Sequence, residues 1–478
     1  PKGFLPPEDI GMISVTTEAA EGTSFGAMVP LQQQVMEIVA ADPAVSGFNS
    51  SVGQSSWSLS NQGRMFVQLK NRRDRDASVD EVIARLRPKL AAIPGMRVYM
   101  QNPPPIRIGG MSSKAMYQFT LQSTDTATLY EWTGRLEQEL RGIPELVDVN
   151  SDLSLKNPQI VIDVDRDRAS ALGVSSYDVE QTLNLAFSST QISTIYTQTN
   201  QYYVLLELLP DYQKDMSALD LLFVKARDGT MVPLNSLATV RETVGPLSIN
   251  HLGQIPAATI SFNLRPDVSI SEASARVQQV ADQMLPSSIN TSFQGQAQAF
   301  AGSESSMLVL LLLAILVIYM ILAILYESFV HPVTILTGLP FAAFGALLTL
   351  QIFGMELSLY AYVGIIMLIG VVKKNAIMMV DFAIEAEKAG ASARDAILEA
   401  ASVRFRPIMM TTVAAIVGTL PIALGLGAGG ESRQPLGLVV VGGLLFSQLI
   451  TLYVTPVFYT YFDRLQTASA RIFGRRDA

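Results

Sequence analysis

The sequence predicts an α+β region of ferredoxin-like strand–helix–strand repeats followed by an all-α bundle of five membrane-spanning helices. The first reason is composition: 49% of the 478 residues are hydrophobic and only 16% charged, against about 25% charge in soluble proteins. The second is segregation. Charges run throughout residues 1–304, whereas the chain from Ser306 onward is a series of long apolar stretches. The third is periodicity, because the first 300 residues alternate between period-2 and period-3.6 hydrophobic patterns.

In the first region, Gly11–Thr17 alternates like a strand and Ser24–Ala41 has helical spacing. Met65–Leu69 is strand-like, Val79–Ala92 is an amphipathic helix interrupted by Pro88, and Arg97–Met100 closes the set as a strand. The pattern restarts with strand Ala115–Gln122, helix Asp125–Arg141 and strand Val147–Val149. Strand Asn157–Val164 leads into helices near Arg166–Leu172 and Ser176–Phe187. Ala257–Asn263, Ser269–Met284 and Asn290–Phe293 give a last strand–helix–strand unit. Repeated units of this kind build ferredoxin-like layers, and Asn102–Arg107 with Gly109 and Gly110 is a plausible seam between two of them.

Each apolar stretch of the second region is long enough to cross a hydrocarbon core of about 30 Å. The five are Ser306–Tyr326, Pro332–Phe353, Leu357–Phe382, Pro407–Leu424 and Leu436–Tyr461. Lys388, Arg394, Arg404 and Arg406 fall in the connection 383–406, and Arg464, Arg471, Arg475 and Arg476 in the tail 462–478. The connection 425–435 holds Arg433 alone. Basic residues favour the cytoplasmic side, so the tail is expected in the cytoplasm and residues 1–304 outside it. A large domain there needs something to carry it across, and no apolar stretch precedes it. The expectation is that an upstream transmembrane segment is missing and that the chain is the C-terminal part of something larger.

Composition also excludes. With no cysteine and only His251 and His331, thiolate chemistry, disulfides and histidine-rich metal sites drop out. The net charge of −8 argues against nucleic-acid binding. No G-x-x-x-x-G-K-[ST] phosphate cradle is present, which removes ATP-driven transport. Gly425–Gly430 is glycine-rich but follows a span rather than a strand. Neither histidine has a catalytic context, so the chain is not expected to be an enzyme and no cofactor is called for.

The most informative feature is the pair Lys373–Lys374 inside the third span. A lysine at bilayer depth costs about 2.5–3.5 kcal/mol on insertion scales and needs a partner or a role. Lys374 lies about 12 Å of helix from Phe382, too far for comfortable snorkelling. Two lysines lining a wet helix end is one reading; an ammonium paired with carboxylates in an ion or proton relay is the other. No Asp or Glu occupies the interior of the other four spans, so counter-charges must come from elsewhere. Arg404-Phe-Arg-Pro-Ile-Met-Met-Thr-Thr412 opens the fourth span. Its arginines read as topology signals, and its two threonines can bond to backbone or to a neighbouring lysine.

Lys374-Asn-Ala-Ile followed by Arg404-x-Arg-Pro-Ile-x-Met-Thr resembles the C-terminal half of a resistance–nodulation–division (RND) exporter. The hydrophobe/amphiphile efflux branch, and its MdtB/MdtC-type members most of all, are the most similar. The segments 1–9 (PKGFLPPED), 171–175 (ALGVS), 228–233 (DGTMVP) and 325–328 (LYES) agree in order. The resemblance implies proton:drug antiport in which Lys374, with Asn375 beside it, pairs with two aspartates of the absent N-terminal half. It carries relay-associated roles to Arg404 and Thr411, with Lys373 an addition to the usual single lysine. It implies porter subdomains at 1–114 and at 115–156 with 246–297, a docking insert at 157–245, and the membrane bundle at 306–461. It also implies a Gram-negative inner membrane, a periplasmic domain and a homo- or heterotrimer. A periplasmic adaptor and an outer-membrane channel are the implied partners, and amphiphilic small molecules the implied substrates. Drug contacts would fall on Trp57, in a serine-rich loop, and on Phe48 and Phe66, which sit at strand edges and compete for core roles. A permease for lipid or secreted protein shares these features; a membrane sensor does not account for the buried lysine.

Overall fold

A computed structural model describes residues 2–472, apart from 7, 54–59, 105, 107, 111–112, 214, 266–267 and 428. Contacts divide the chain into two units: residues 154–248, and the remainder on either side of them.

The larger unit opens with β1 (Met12–Ala19), α1 (Phe25–Ala40), β2 (Val45–Val52), β3 (Gln62–Leu69), α2 (Val79–Ala91) and β4 (Met96–Gln101). The strands form one antiparallel sheet in the order β2-β3-β1-β4. Every second residue of β1 and β3 points inward, so Ile13, Val15, Met65 and Val67 pack on Val35, Val39, Val82 and Leu86 of the helices. Each such burial contributes roughly 1.5–3 kcal/mol. Helix α2 starts with a capping box in which Ser78 and Glu81 satisfy each other's backbone N–H groups. It continues past Pro88 to Ala91 without ending there.

The second sheet begins with β5 (Tyr117–Gln122), α3 (Thr126–Arg141) and β6 (Leu146–Ser151). The chain then makes the smaller unit. This contains β7 (Asn157–Val164), α4 (Arg166–Ala171), α5 (Ser176–Phe187), β8 (Thr190–Tyr196), β9 (Gln201–Leu206), β10 (Phe223–Lys225), β11 (Met231–Pro233) and β12 (Ala238–Gly245). Its strands pair antiparallel as β7 with β12, β8 with β9 and β10 with β11. Val174, Val179, Val224, Leu234 and Leu237 belong to its core.

Back in the larger unit, β13 (His251–Leu252), β14 (Ile255–Leu264), α6 (Ile270–Met284) and β15 (Asn290–Gly295) complete the second sheet. β14 pairs with β6 and β5, and β5 with β15. The order β6-β14-β5-β15 repeats the second–third–first–fourth order of the first sheet. The two sheets therefore share one ferredoxin-like topology, and the smaller unit is inserted between the second and third strands of the second copy. Phe119, Leu121, Ile260 and Phe262 meet Leu129, Leu136 and Val277 in its core.

Strand β15 passes directly into α7 (Gln296–Leu325) through Gly295, whose φ of 62° suits a residue without Cβ. The remaining helices are α8 (Val330–Leu336), α9 (Leu339–Ile352), α10 (Leu359–Lys388), α11 (Ala393–Ala423) and α12 (Gly430–Ile472). Among the described residues, five stretches are long and apolar enough to cross a membrane, α8 and α9 together counting as one. The helices outrun the apolar stretches. α7 starts ten residues before Ser306, at Gln296, and α11 carries Arg404 and Arg406 as helix, with Pro407 in its interior. Polar flanks continue a helix because its backbone bonding does not depend on lipid. Close backbone approach fixes the end of α11 against α12: a Cβ on Gly437 would lie 2.3 Å from the Ala423 nitrogen.

Candidate functional site

Lys374 sits at the middle of α10, with 15 residues before it and 14 after it in the helix. At 1.5 Å per residue, about 20 Å of helix extends either way. Two faces of α10 differ sharply. Ile365, Leu368, Val372, Asn375, Met379 and Ala383 are buried against neighbouring helices. Val363, Met367, Gly370, Lys374 and Asp381 are exposed, at spacings of four, three, four and seven residues. That is the stripe a helix presents to another helix. Lys374 thus lies mid-helix on a face that no other described element covers.

Lys373 points the other way. It is only 3% exposed, and its ammonium nitrogen makes no hydrogen bond among the described residues. Asn375 forms a polar knot with Gln448, which sequence reasoning did not single out, and with Thr412, one of the two threonines that it left undistinguished. Its Nδ2 donates to Thr412 Oγ1 and to Gln448 Oε1, both at 3.0 Å, and Thr412 donates to Gln448 Oε1 at 2.8 Å. The knot joins α10, α11 and α12. Gln448 was discoverable, as an amide inside an otherwise apolar span. Thr412 could not be told from Thr411 without the helix phase.

Thr411 is half-buried and donates to the Ile408 carbonyl of its own helix at 3.1 Å. Arg404, two turns away, lays its guanidinium 5.4 Å from the Phe382 ring centroid, and its buried Nε makes no hydrogen bond among the described residues. The structure therefore brings Asn375 together with Thr412 and Gln448, and leaves Thr411 and Arg404 outside that knot.

Residues 1–463 match the AcrB/AcrD/AcrF family. The chain belongs to that family. RND proteins are transporters, not enzymes. The multidrug resistance protein MdtC of Pectobacterium atrosepticum is 47% identical over 469 residues, 98% of this chain and 45% of that protein. MdtC of Cronobacter sakazakii is 47% identical over 473 residues, covering 98% of this chain and 46% of that one. The chain spans about half the length of these relatives. A crystal structure of a heavy metal efflux pump superposes with a TM-score of 0.87 at 23% identity, over 97% of this chain and 48% of that one. That likeness concerns the fold alone.

In this RND chain, Phe48 and Phe66 line one open cleft of about 920 Å³, together with Met12, Asn49, Arg72 and the segment around Gly425–Glu431. Phe48 is not at a strand edge. It lies within β2, opposite Val67, and packs partly on the sheet core. Phe66 is 46% exposed on the outer face of β3. Trp57 lies outside the described residues. One wall of the cleft carries Asp9, bonded to the Arg75 guanidinium and accepting the N–H groups of Gly11 at 3.0 Å and Val79 at 3.2 Å. Burial pushes the Asp9 carboxyl up, but Arg75 and the two N–H groups hold it below its usual value. In the smaller unit, the β8–β9 hairpin exposes Ile195, Tyr196, Tyr202, Tyr203 and Leu205, an apolar surface of the kind that marks a contact.

Proposed function

We propose that this chain supplies the C-terminal half of a proton-driven exporter of drugs and other amphiphiles in a Gram-negative inner membrane. Lys374 carries the reading. A charged ammonium at mid-membrane on a helix-packing stripe is not stable against lipid, so another protein segment bearing carboxylates must cover it. The relatives are about twice as long, and an N-terminal half is the natural source of that segment. Alternation between a paired, protonated and an unpaired state would couple proton movement to rearrangement of α10 through the Asn375 knot. Lys373, Arg404 and Thr411 act as supporting groups around this pair.

In this reading residues 1–304 lie in the periplasm and the tail in the cytoplasm. Residues 1–114, and 115–156 with 246–297, work as porter subdomains, and 157–245 as the docking insert. The Phe48–Phe66 cleft takes apolar substrates, and Trp57 is a further candidate drug contact. The apolar β8–β9 hairpin supports assembly as a trimer with a periplasmic adaptor and an outer-membrane channel. The MdtC names favour drugs as cargo over lipid or secreted protein.

The test is Lys374→Ala in the full-length protein, with export and assembly measured side by side. Loss of export with normal membrane insertion and oligomer size is expected. Proton-driven export that survives the substitution would reject the assignment.

A further inference from the structure

On α12, Ser447, Thr451, Thr455, Tyr459 and Asp463 recur at every fourth residue. This spacing stacks them along one stripe of the helix. The first four are buried, none more than 4% exposed. The stripe starts beside Gln448, and so at the level of the Asn375–Thr412–Gln448 knot, and runs about 24 Å toward the Asp463 end.

The hydroxyls on this stripe behave differently from those elsewhere in the bundle. Thr334, Thr349, Thr411, Thr419 and Thr460 each donate to a carbonyl three or four residues back in their own helix. That is the ordinary solution for a hydroxyl in a membrane helix. Ser447 and Thr451 instead meet each other at 3.2 Å. Thr455 Oγ1 is buried with no hydrogen-bond partner among the described residues, and the buried Tyr459 hydroxyl faces the Glu387 carboxyl. An unpartnered buried hydroxyl is costly unless water satisfies it. Side chains four residues apart on a helix are about 6 Å apart, and one water with bonds of about 2.8 Å on each side spans that gap.

The stripe ends in ionisable groups. Tyr459 interacts with Glu387 of α10 and Asp463 of its own helix, and its ring stacks on His331 of α8 with centroids 6.0 Å apart. Glu387 Oε1 is itself buried. Toward the other end the column is closed. The next position up is Gly443, where even a Cβ would fall 2.2 Å from Leu368, and Val439 above it is fully buried.

We propose that the α12 hydroxyl stripe, completed by bridging waters, is a one-sided proton path between the mid-membrane polar knot and the Glu387–Asp463 end. It rests on the proton-coupled reading above. In each hop one O–H bond breaks as the next forms. The net result moves one proton from an ammonium in the Lys373–Lys374 region to water beyond Asp463, with no redox step. His331 and Glu387 stand where the proton leaves, while Asp381 and Arg404 lie off the stripe.

The experiment uses the full-length transporter in liposomes with a trapped pH-sensitive dye, and reads substrate-driven proton flux. The variants are Thr451→Val with Thr455→Val, the same pair as Ser, and Lys374→Ala. Valine keeps the shape of threonine and removes the hydroxyl. Flux should fall about tenfold or more in the valine pair, at unchanged oligomer size, and return to within about twofold of wild type in the serine pair. Full flux in the valine pair, with Lys374→Ala inactive, overturns the path and leaves the proton-coupled reading standing. Equal loss in the valine and serine pairs means a packing role and also overturns it. Loss in the valine pair with full flux in Lys374→Ala supports the path and rejects the role given to Lys374.

Discussion

Replacing Asn375 by alanine removes two hydrogen bonds of 3.0 Å and leaves the 2.8 Å bond between Thr412 and Gln448 in place. Hydrogen bonds between membrane helices average about 0.6 kcal/mol and reach about 1.7. Two of them give about 1.2 kcal/mol. The small void left by a buried amide raises the expected loss to about 1–3 kcal/mol. Gln448→Ala should cost somewhat more, because Gln448 also donates to the Met409 sulfur at 3.4 Å. Since Asn375 and Gln448 share a direct bond, the double substitution should cost less than the sum of the two by about 0.5–1 kcal/mol. Unfolding in mixed detergent micelles, followed by helix content, measures all three. Single losses under about 0.3 kcal/mol, or strict additivity, would refute the claim that the knot ties α10 to α12.

Two further outcomes are expected. Asp9 has a folded-state carboxyl below its usual value of 3.8, so its contribution is fully present above that value and fades as pH falls through the lower, folded value. Hydrogen exchange at the Gly11 and Val79 amides should therefore be faster in Asp9→Asn at neutral pH, with the gap to wild type closing only in strong acid; a gap independent of pH contradicts this. Phe66→Ala should leave stability within about 0.5 kcal/mol and shift the substrate spectrum, whereas Phe48→Ala, partly in the core, should cost about 1–3 kcal/mol. The opposite ranking in thermal melts would remove Phe66 from the cleft's binding surface.

The helices were legible because apolar length and amphipathic spacing are local properties. The first sheet was less so. Strand β2 holds two glycine or asparagine positions and three serines among Val45–Val52, a composition that reads as loop. It is a strand because β3 offers it a ladder, and pairing is not local. The repeated sheet order was hidden for the same reason, since the smaller unit separates β6 from β14 by more than 100 residues. At the site, sequence marked Lys373, Lys374 and Asn375 by their depth in an apolar span. It could not say that Lys374 faces outward while Lys373 is buried, because one residue is 100° of helix phase. The knot partners Thr412 and Gln448 sit on other helices, and only packing brings them to Asn375.

The claim that matters most is that protein, not lipid, covers the Lys374 stripe. This chain has no cysteine, so in a full-length protein freed of any cysteine elsewhere a spin label can be placed at Lys374→Cys and compared with labels at Met410→Cys and Tyr453→Cys, residues that are 72% and 77% exposed. Collision with lipid-dissolved oxygen reports what surrounds each label. A shielded label is expected at position 374, and oxygen-accessible labels at 410 and 453. Equal accessibility at all three would place Lys374 against lipid and contradict its pairing with a covering segment.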